Sequence, residues 1–351
     1  MNHCAKLLSS ALVSGLLALP SFSAMSADVA YVTNQKDGVN VINLSSMATE
    51  KIIDMNGDGP RGLAITPDGK FLLTANQKTG DVAVIDTDTL KVVRRIPIGK
   101  NPEFMRILPD GSMAFVTYEP SSSGKPPGKG DDEDSGPELP GEVAVIDLHK
   151  WKVVESIVGA PETEGIEFAP DGKNVAITNE GNDTITVYNF VDHKLTKTVD
   201  LHPYGLRPRG IKLSPDGKHY VVTLESSANF LVLDTDFKVI KSVPTGKGPY
   251  GVAFDKSGSR ILIAAAISKH LQVFDAKTYK HIADVPVGKR CWHFSFTPDE
   301  SKILAVCGRS DEVDVIDAAN YKVDKKLTDF EIPWGIVTYP KSYGSLDAPA
   351  K

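Results

Sequence analysis

Seven positions, each six residues ahead of a recurring turn of the Pro-Asp-Gly type, read Arg61, Glu103, Glu164, Arg209, Tyr250, Trp292 and Trp334. These are residue types that do chemistry. Two guanidiniums can each grip a carboxylate through a bidentate fork. Three aromatics from consecutive repeats offer stacking faces. Two glutamates can divide acid and base work if their surroundings drive their pKa values apart. The position that follows is glycine in five repeats (Gly62, Gly165, Gly210, Gly251 and Gly335), but Phe104 and His293 occupy it in the other two. Drawn together around one funnel, these side chains suit a planar or elongated anionic ligand such as a quinone cofactor or haem. Two other readings stay open. Arg61 with Glu103, and Glu164 with Arg209, sit on adjacent repeats and can close the funnel as ion pairs. The glutamates can also act as a hydrolytic pair beside the arginines.

The remaining reactive residues are few. His202, His270 and His293 fall on the funnel side of their repeats, and His149, His193, His219 and His281 do not. Three histidines from different repeats ligate a metal or haem only if loops bring them together. The chain has no Cys-x-x-Cys-His, His-Glu-x-x-His or Gly-x-Ser-x-Gly motif, and no metal centre is expected. Cys291 and Cys307 each lie eight residues from Asp299 in the middle of a hairpin, so a symmetric register sets them opposite one another as a disulfide candidate.

The elements that must position these residues follow from two repeated phrases. Pro67-Asp68-Gly69, Pro109-Asp110-Gly111, Pro170-Asp171-Gly172, Pro215-Asp216-Gly217 and Pro298-Asp299-Glu300 each separate two short β-rich runs, and proline with glycine supplies the turn angles. A second phrase ends in Asn43, Asp86, Asp147, Asn189, Asp234, Asp275 and Asp317, at intervals close to 42 residues with a single interval of 61. Four strands per unit of this length is the period of a propeller blade, and apolar residues do not recur at the helical 3.6 spacing. The expected fold is all-β: a seven-bladed β-propeller of four-stranded blades over residues 28–340. Val29-Ala30-Tyr31-Val32 fits a second strand and Trp334-Gly335-Ile336-Val337 a first, so both termini are expected to build the first blade. The long interval places an acidic, Pro- and Gly-rich insertion at residues 119–142 in blade 3, read as solvated. Residues 341–351 are read as a C-terminal tail.

Composition narrows the partners. The 351 residues are 41% hydrophobic, which is enough for a large core, and the formal charge of −6 argues against nucleic acid or an anionic membrane surface. Residues 1–27 read as a signal peptide: Lys6, an apolar run from Leu7 to Leu19, then small residues up to Ala27. No stretch is long and apolar enough to span a membrane as a helix. The expectation is a periplasmic or secreted monomer, in a compartment where a cysteine pair oxidises.

Tyr31-Val32-Thr33-Asn34 is the tetrapeptide that names the YVTN-repeat β-propellers, and the chain resembles that family from residue 29 to about 340. Val287-Gly288-Lys289-Arg290-Cys291-Trp292 and the ending around Pro333-Trp334-Gly335 resemble the exported propellers associated with pyrroloquinoline-quinone-dependent alcohol catabolism. The resemblance implies a binding or accessory protein beside quinoproteins and cytochromes c, holding pyrroloquinoline quinone, haem or another small anionic ligand, or a periplasmic redox protein. The alternatives are a lactonase-type hydrolase using funnel carboxylates and a protein-interaction platform.

Overall fold

A computed structural model describes Met1 and residues 28–36, 38–120, 139–341 and 343–347. Seven four-stranded antiparallel sheets form a seven-bladed β-propeller. The signal-peptide reading and most of the blade 3 insertion lie outside the described residues. In blade 1 the inner strand is Pro333–Tyr339 and the next is Val29–Asn34, paired from Val29 opposite Tyr339 to Val32 opposite Ile336.

Each blade repeats the same local chemistry. Between its first two strands glycine takes a left-handed conformation at Gly69, Gly111, Gly172 and Gly217, with φ between 68° and 76°. Blade 7 has Glu300 there at φ 56°, and blade 6 turns on Asp255 and Gly258 (φ 69°) without a proline. The third strands end in Asp or Asn because that carboxylate or amide oxygen accepts backbone N–H groups of the following turn, as Asp147 does from His149 and Lys150. The middle strands are apolar on both faces, since each is sandwiched between neighbouring blades. Ala64, Leu73 and Val84 of blade 2 pack on Met105, Ala114 and Ile146 of blade 3. Outer strands such as Lys194–Asp200 are almost wholly exposed.

Two features bring the inner strands to the axis. The inner strand carries one extra residue against its partner at the same place in every blade, for example between Pro60 and Leu63, and this β-bulge aims the second residue of the strand into the funnel. The glycine beside it admits the next blade: a Cβ on Gly62 would lie 2.2 Å from the carbonyl oxygen of Glu103, and one on Gly210 would lie 2.5 Å from that of Tyr250. A threonine on the second strand then bridges the blades. Thr33 Oγ1 accepts from the Gly335 amide and donates to the Arg61 carbonyl (2.6 Å). Thr178 links Gly165 to Arg209, and Thr223 links Gly210 to Tyr250, in the same way.

Cys291 and Cys307 face one another across the blade 7 hairpin and form a disulfide. Cys291 stands where five other inner strands begin with proline.

Replacing Thr223 with valine keeps the shape but strands the Gly210 amide and the Tyr250 carbonyl. The expected loss is about 1–3 kcal/mol, read as a lower urea midpoint with unchanged slope. Thr178→Val should lose a similar amount.

Candidate functional site

The bulged ring opens onto a cavity of about 820 Å³ at one end of the axis. Arg61, Glu103, Glu164, Arg209, Tyr250, Trp292 and Trp334 all line it. His293 does not; it is buried beneath, with its ring centroid 4.4 Å from that of Trp334 and 5.4 Å from that of Tyr250. His202 is exposed beside Asp183 (2.9 Å), and His270 begins the third strand of blade 6, so the loops do not bring the three histidines together.

The cavity wall has two unlike halves. Across blades 2 to 5 guanidiniums pair with carboxyl groups. Arg61 reaches Glu103 at 2.9 Å and Gln35 at 3.2 Å. Arg209 contacts Glu164 and Glu180, meets Glu225 at 2.9 Å, donates to the Tyr250 hydroxyl at 3.1 Å and lies over that ring. Arg207 joins Glu162 (2.9 Å) to Glu180. The ion-pair alternative is therefore present in the structure, and Arg61 and Arg209 are not an open clamp for a ligand's acids. Across blades 6, 7 and 1 the wall is aromatic: Tyr250, Trp292 and Trp334. Trp292 lies flat on the backbone of Gly308, where a Cβ would stand 1.9 Å from the indole. Exposed Lys247 and Arg309, with Arg290, line the mouth of the cavity.

Carboxyl groups crowd the charged half. Oxygens of Glu103, Glu119 and Glu164 lie within 4.8 Å of one another, a spacing that a divalent cation can bridge. Burial pushes Glu164 well above the carboxylate range, Glu103, Glu180 and Glu119 add repulsion, and Arg209 only partly offsets both. Burial likewise pushes Glu180 up to about 8 against the pull of Arg209 and Arg207. Glu225 moves the other way, because Arg209, Arg290 and Arg207 outweigh its burial and hold it ionised.

Glu119, Glu180 and Glu225 were not among the sequence candidates, and Glu119 was assigned to the insertion. It is instead 7% exposed, at the end of a strand, and accepts from the Asn101 amide at 2.8 Å. The missed signal was a second register: the residue after each second strand reads Gln35, Gln77, Glu119, Glu180, Glu225, Ala266 and Gly308. A third lies deeper, three residues beyond the ring, where Arg106, Glu167 and Lys212 of blades 3 to 5 are buried.

The family described as Lactonase, 7-bladed beta-propeller matches residues 30–92 and 142–238. No curated protein sequence matches the chain significantly. Among solved structures, the periplasmic gluconolactonase of Pseudomonas aeruginosa is 16% identical over 89% of this chain and 98% of that one, with a TM-score of 0.71. A functionally unknown protein from Desulfotomaculum acetoxidans is 17% identical over 89% and 99%, with a TM-score of 0.74. Kuenenia stuttgartiensis hydrazine synthase is 20% identical over 80% and 89%, with a TM-score of 0.68. At these identities the likeness is one of fold.

Glu180 holds its proton in the folded chain and loses it in the unfolded chain between pH 4.5 and about 8. Stability from this group is therefore full below pH 4.5 and falls as pH rises toward 8, by on the order of 1 kcal/mol per pH unit. Urea midpoints at pH 5, 6.5 and 8 should show the decline, and Glu180→Gln should flatten it.

Proposed function

We propose that the chain is an exported hydrolase that opens lactones of the sugar-acid class in this funnel. The observation that carries the reading is the approach of two carboxyl groups in unlike surroundings, Glu103 paired with Arg61 and Glu164 pushed well above the carboxylate range by burial, within 4.8 Å of one another in a cavity open at one end. The partial match to the lactonase family supports it. The disulfide, the leader-like start and the fold shared with a periplasmic gluconolactonase support export.

The chemistry needs one proton taken and one given. Water attacks the lactone carbonyl while Glu103 accepts its proton. The guanidinium of Arg61 stabilises the charge on the carbonyl oxygen. As the bond to the ring oxygen breaks, Glu164 donates a proton to that oxygen, leaving a hydroxy acid. Trp292 and Trp334 stack on the apolar face of the ring. Lys247, Arg290 and Arg309 hold an acidic substituent at the mouth.

The same aromatic wall and mouth cations favour a second reading, stoichiometric binding of a planar anion such as pyrroloquinoline quinone or haem without turnover. The two separate in one protein. Purified protein should hydrolyse members of an aldonolactone panel above the spontaneous rate in a pH-stat, and Glu164→Gln should lower kcat by ~100- to 10,000-fold. No rate above background on any lactone, with saturable quenching of tryptophan emission by the planar anions, would replace the hydrolase with the binding protein.

A further inference from the structure

Beneath the funnel the axis of the propeller is filled by residues 343–347. After the inner strand of blade 1 the backbone turns back into the centre, and Ser345, Leu346 and Asp347 are 4%, 1% and 6% exposed. The channel wall answers their polar groups one by one. Lys212 Nζ donates to the Gly344 carbonyl (2.7 Å) and to that of Asp347. Arg106 donates to the Ser345 carbonyl (3.1 Å), and the Ser345 amide donates to that of Phe294 (2.9 Å). The room is made by missing side chains. A Cβ on Gly251 would stand 3.1 Å from Ser345 Cβ and 3.2 Å from His293 Nδ1, and one on Gly335 would stand 2.9 Å from Leu346.

Charge points the same way. Inside the channel Arg106 and Lys212 face a single carboxylate of the blades, Glu167, 2.7 Å from Arg106. Asp347 brings a second buried carboxyl beside them, whose burial opposes ionisation while Lys341, Lys212 and Arg106 attract it. One atom stays unsatisfied just above. His293 Nδ1 meets Ser345 Oγ at 3.0 Å, while its Nε2 is buried without a partner among the described residues.

We propose that residues 343–347 are a resident plug that forms the underside of the funnel, and that Ser345 makes His293 a positioning residue by fixing its tautomer and ring plane beneath Trp334 and Tyr250. The role deepens the reading of the funnel as a ligand site and rests on it for its catalytic consequence. The groups facing His293 are Arg106 from blade 3, Arg209 and Lys212 from blade 5, Tyr250 from blade 6 and Ser345 from the plug. Burial and the three cations hold the imidazole neutral far below its ordinary pKa. A neutral ring presents one donor and one acceptor, and the hydrogen bond at Nδ1 decides which is left at Nε2.

Nitrogen NMR of ¹⁵N-histidine protein tests this without reference to turnover. In the full chain His293 should stay neutral, in one tautomer, from pH 5 to 8. Ser345→Ala should mix the tautomers by a visible change in the Nδ1 and Nε2 shifts, and it should lower the melting temperature by a few degrees, because Ser345 Oγ also accepts from the buried Phe294 amide. In a lactone assay it should change kcat at least tenfold more than KM. A chain ending at Ser342 should expose Trp334 to acrylamide quenching, and a synthetic peptide of residues 343–351 should reverse this saturably. If the truncated chain does not fold, Ser345→Ala decides. A His293 spectrum identical in the full chain and in Ser345→Ala overturns the proposal, whether or not any lactone is hydrolysed. A His293 that titrates near pH 6.5 in the full chain overturns it as well. Normal spectra with no lactone turned over would instead remove the catalytic reading and leave the plug.

Discussion

Seven strands can converge on one axis only if their backbones approach within contact distance, and in this protein a glycine and a threonine meet that constraint. The glycine removes the Cβ that would strike the neighbouring carbonyl, as at Gly62 against Glu103. The threonine ties that carbonyl to the previous blade, as Thr33 ties Arg61. The carbonyls held in this way belong to the residues whose side chains line the funnel. Blade packing and site geometry therefore share the same atoms, and a slip in one displaces the other. The latch is also directional: Thr33, Thr178 and Thr223 each reach forward to the next blade.

Blade boundaries were legible because turn chemistry is local. Pro, Asp and Gly near Asp68, Asp110 and Asp216 need no tertiary contact to declare a turn. Blade 6 shows the limit, since Asp255 and Gly258 make the same turn without proline. The funnel ring was legible once the repeats were aligned, because identical strand positions must share one radius. Other members of the site were hidden for physical reasons. Glu119, Glu180 and Glu225 emerge from a second register, and the bulge that brings the ring into the cavity leaves no mark in hydrophobic alternation. The pairing of Arg61 and Arg209 with carboxylates depends on distances across blades, which spacing along a chain does not encode. The tail carries no turn or strand signal beyond Tyr339, so nothing in its sequence declared that Ser345 and Leu346 would be buried.

The funnel concentrates more carboxyl groups than its inner guanidiniums can neutralise, and protons settle the difference. Arg209 and Arg290 hold Glu225 below its ordinary pKa, whereas burial pushes Glu164 well above the carboxylate range and Glu180 up to about 8. Such an arrangement costs stability at neutral pH, and it persists because the surrounding blades fix the groups that share it. The aromatic half makes no such demand. Its placement opposite the charged half gives the cavity a polarity across its width.

Blade 1 has a consequence for how the molecule comes into being. Its inner strand is Pro333–Tyr339 and its second is Val29–Asn34, so the ring has an open seam until the last strand arrives. A chain delivered amino end first from a ribosome can pair the strands of blades 2 to 7 in order, but the ring closes only through contacts such as that of Thr33 with Gly335, 302 residues apart.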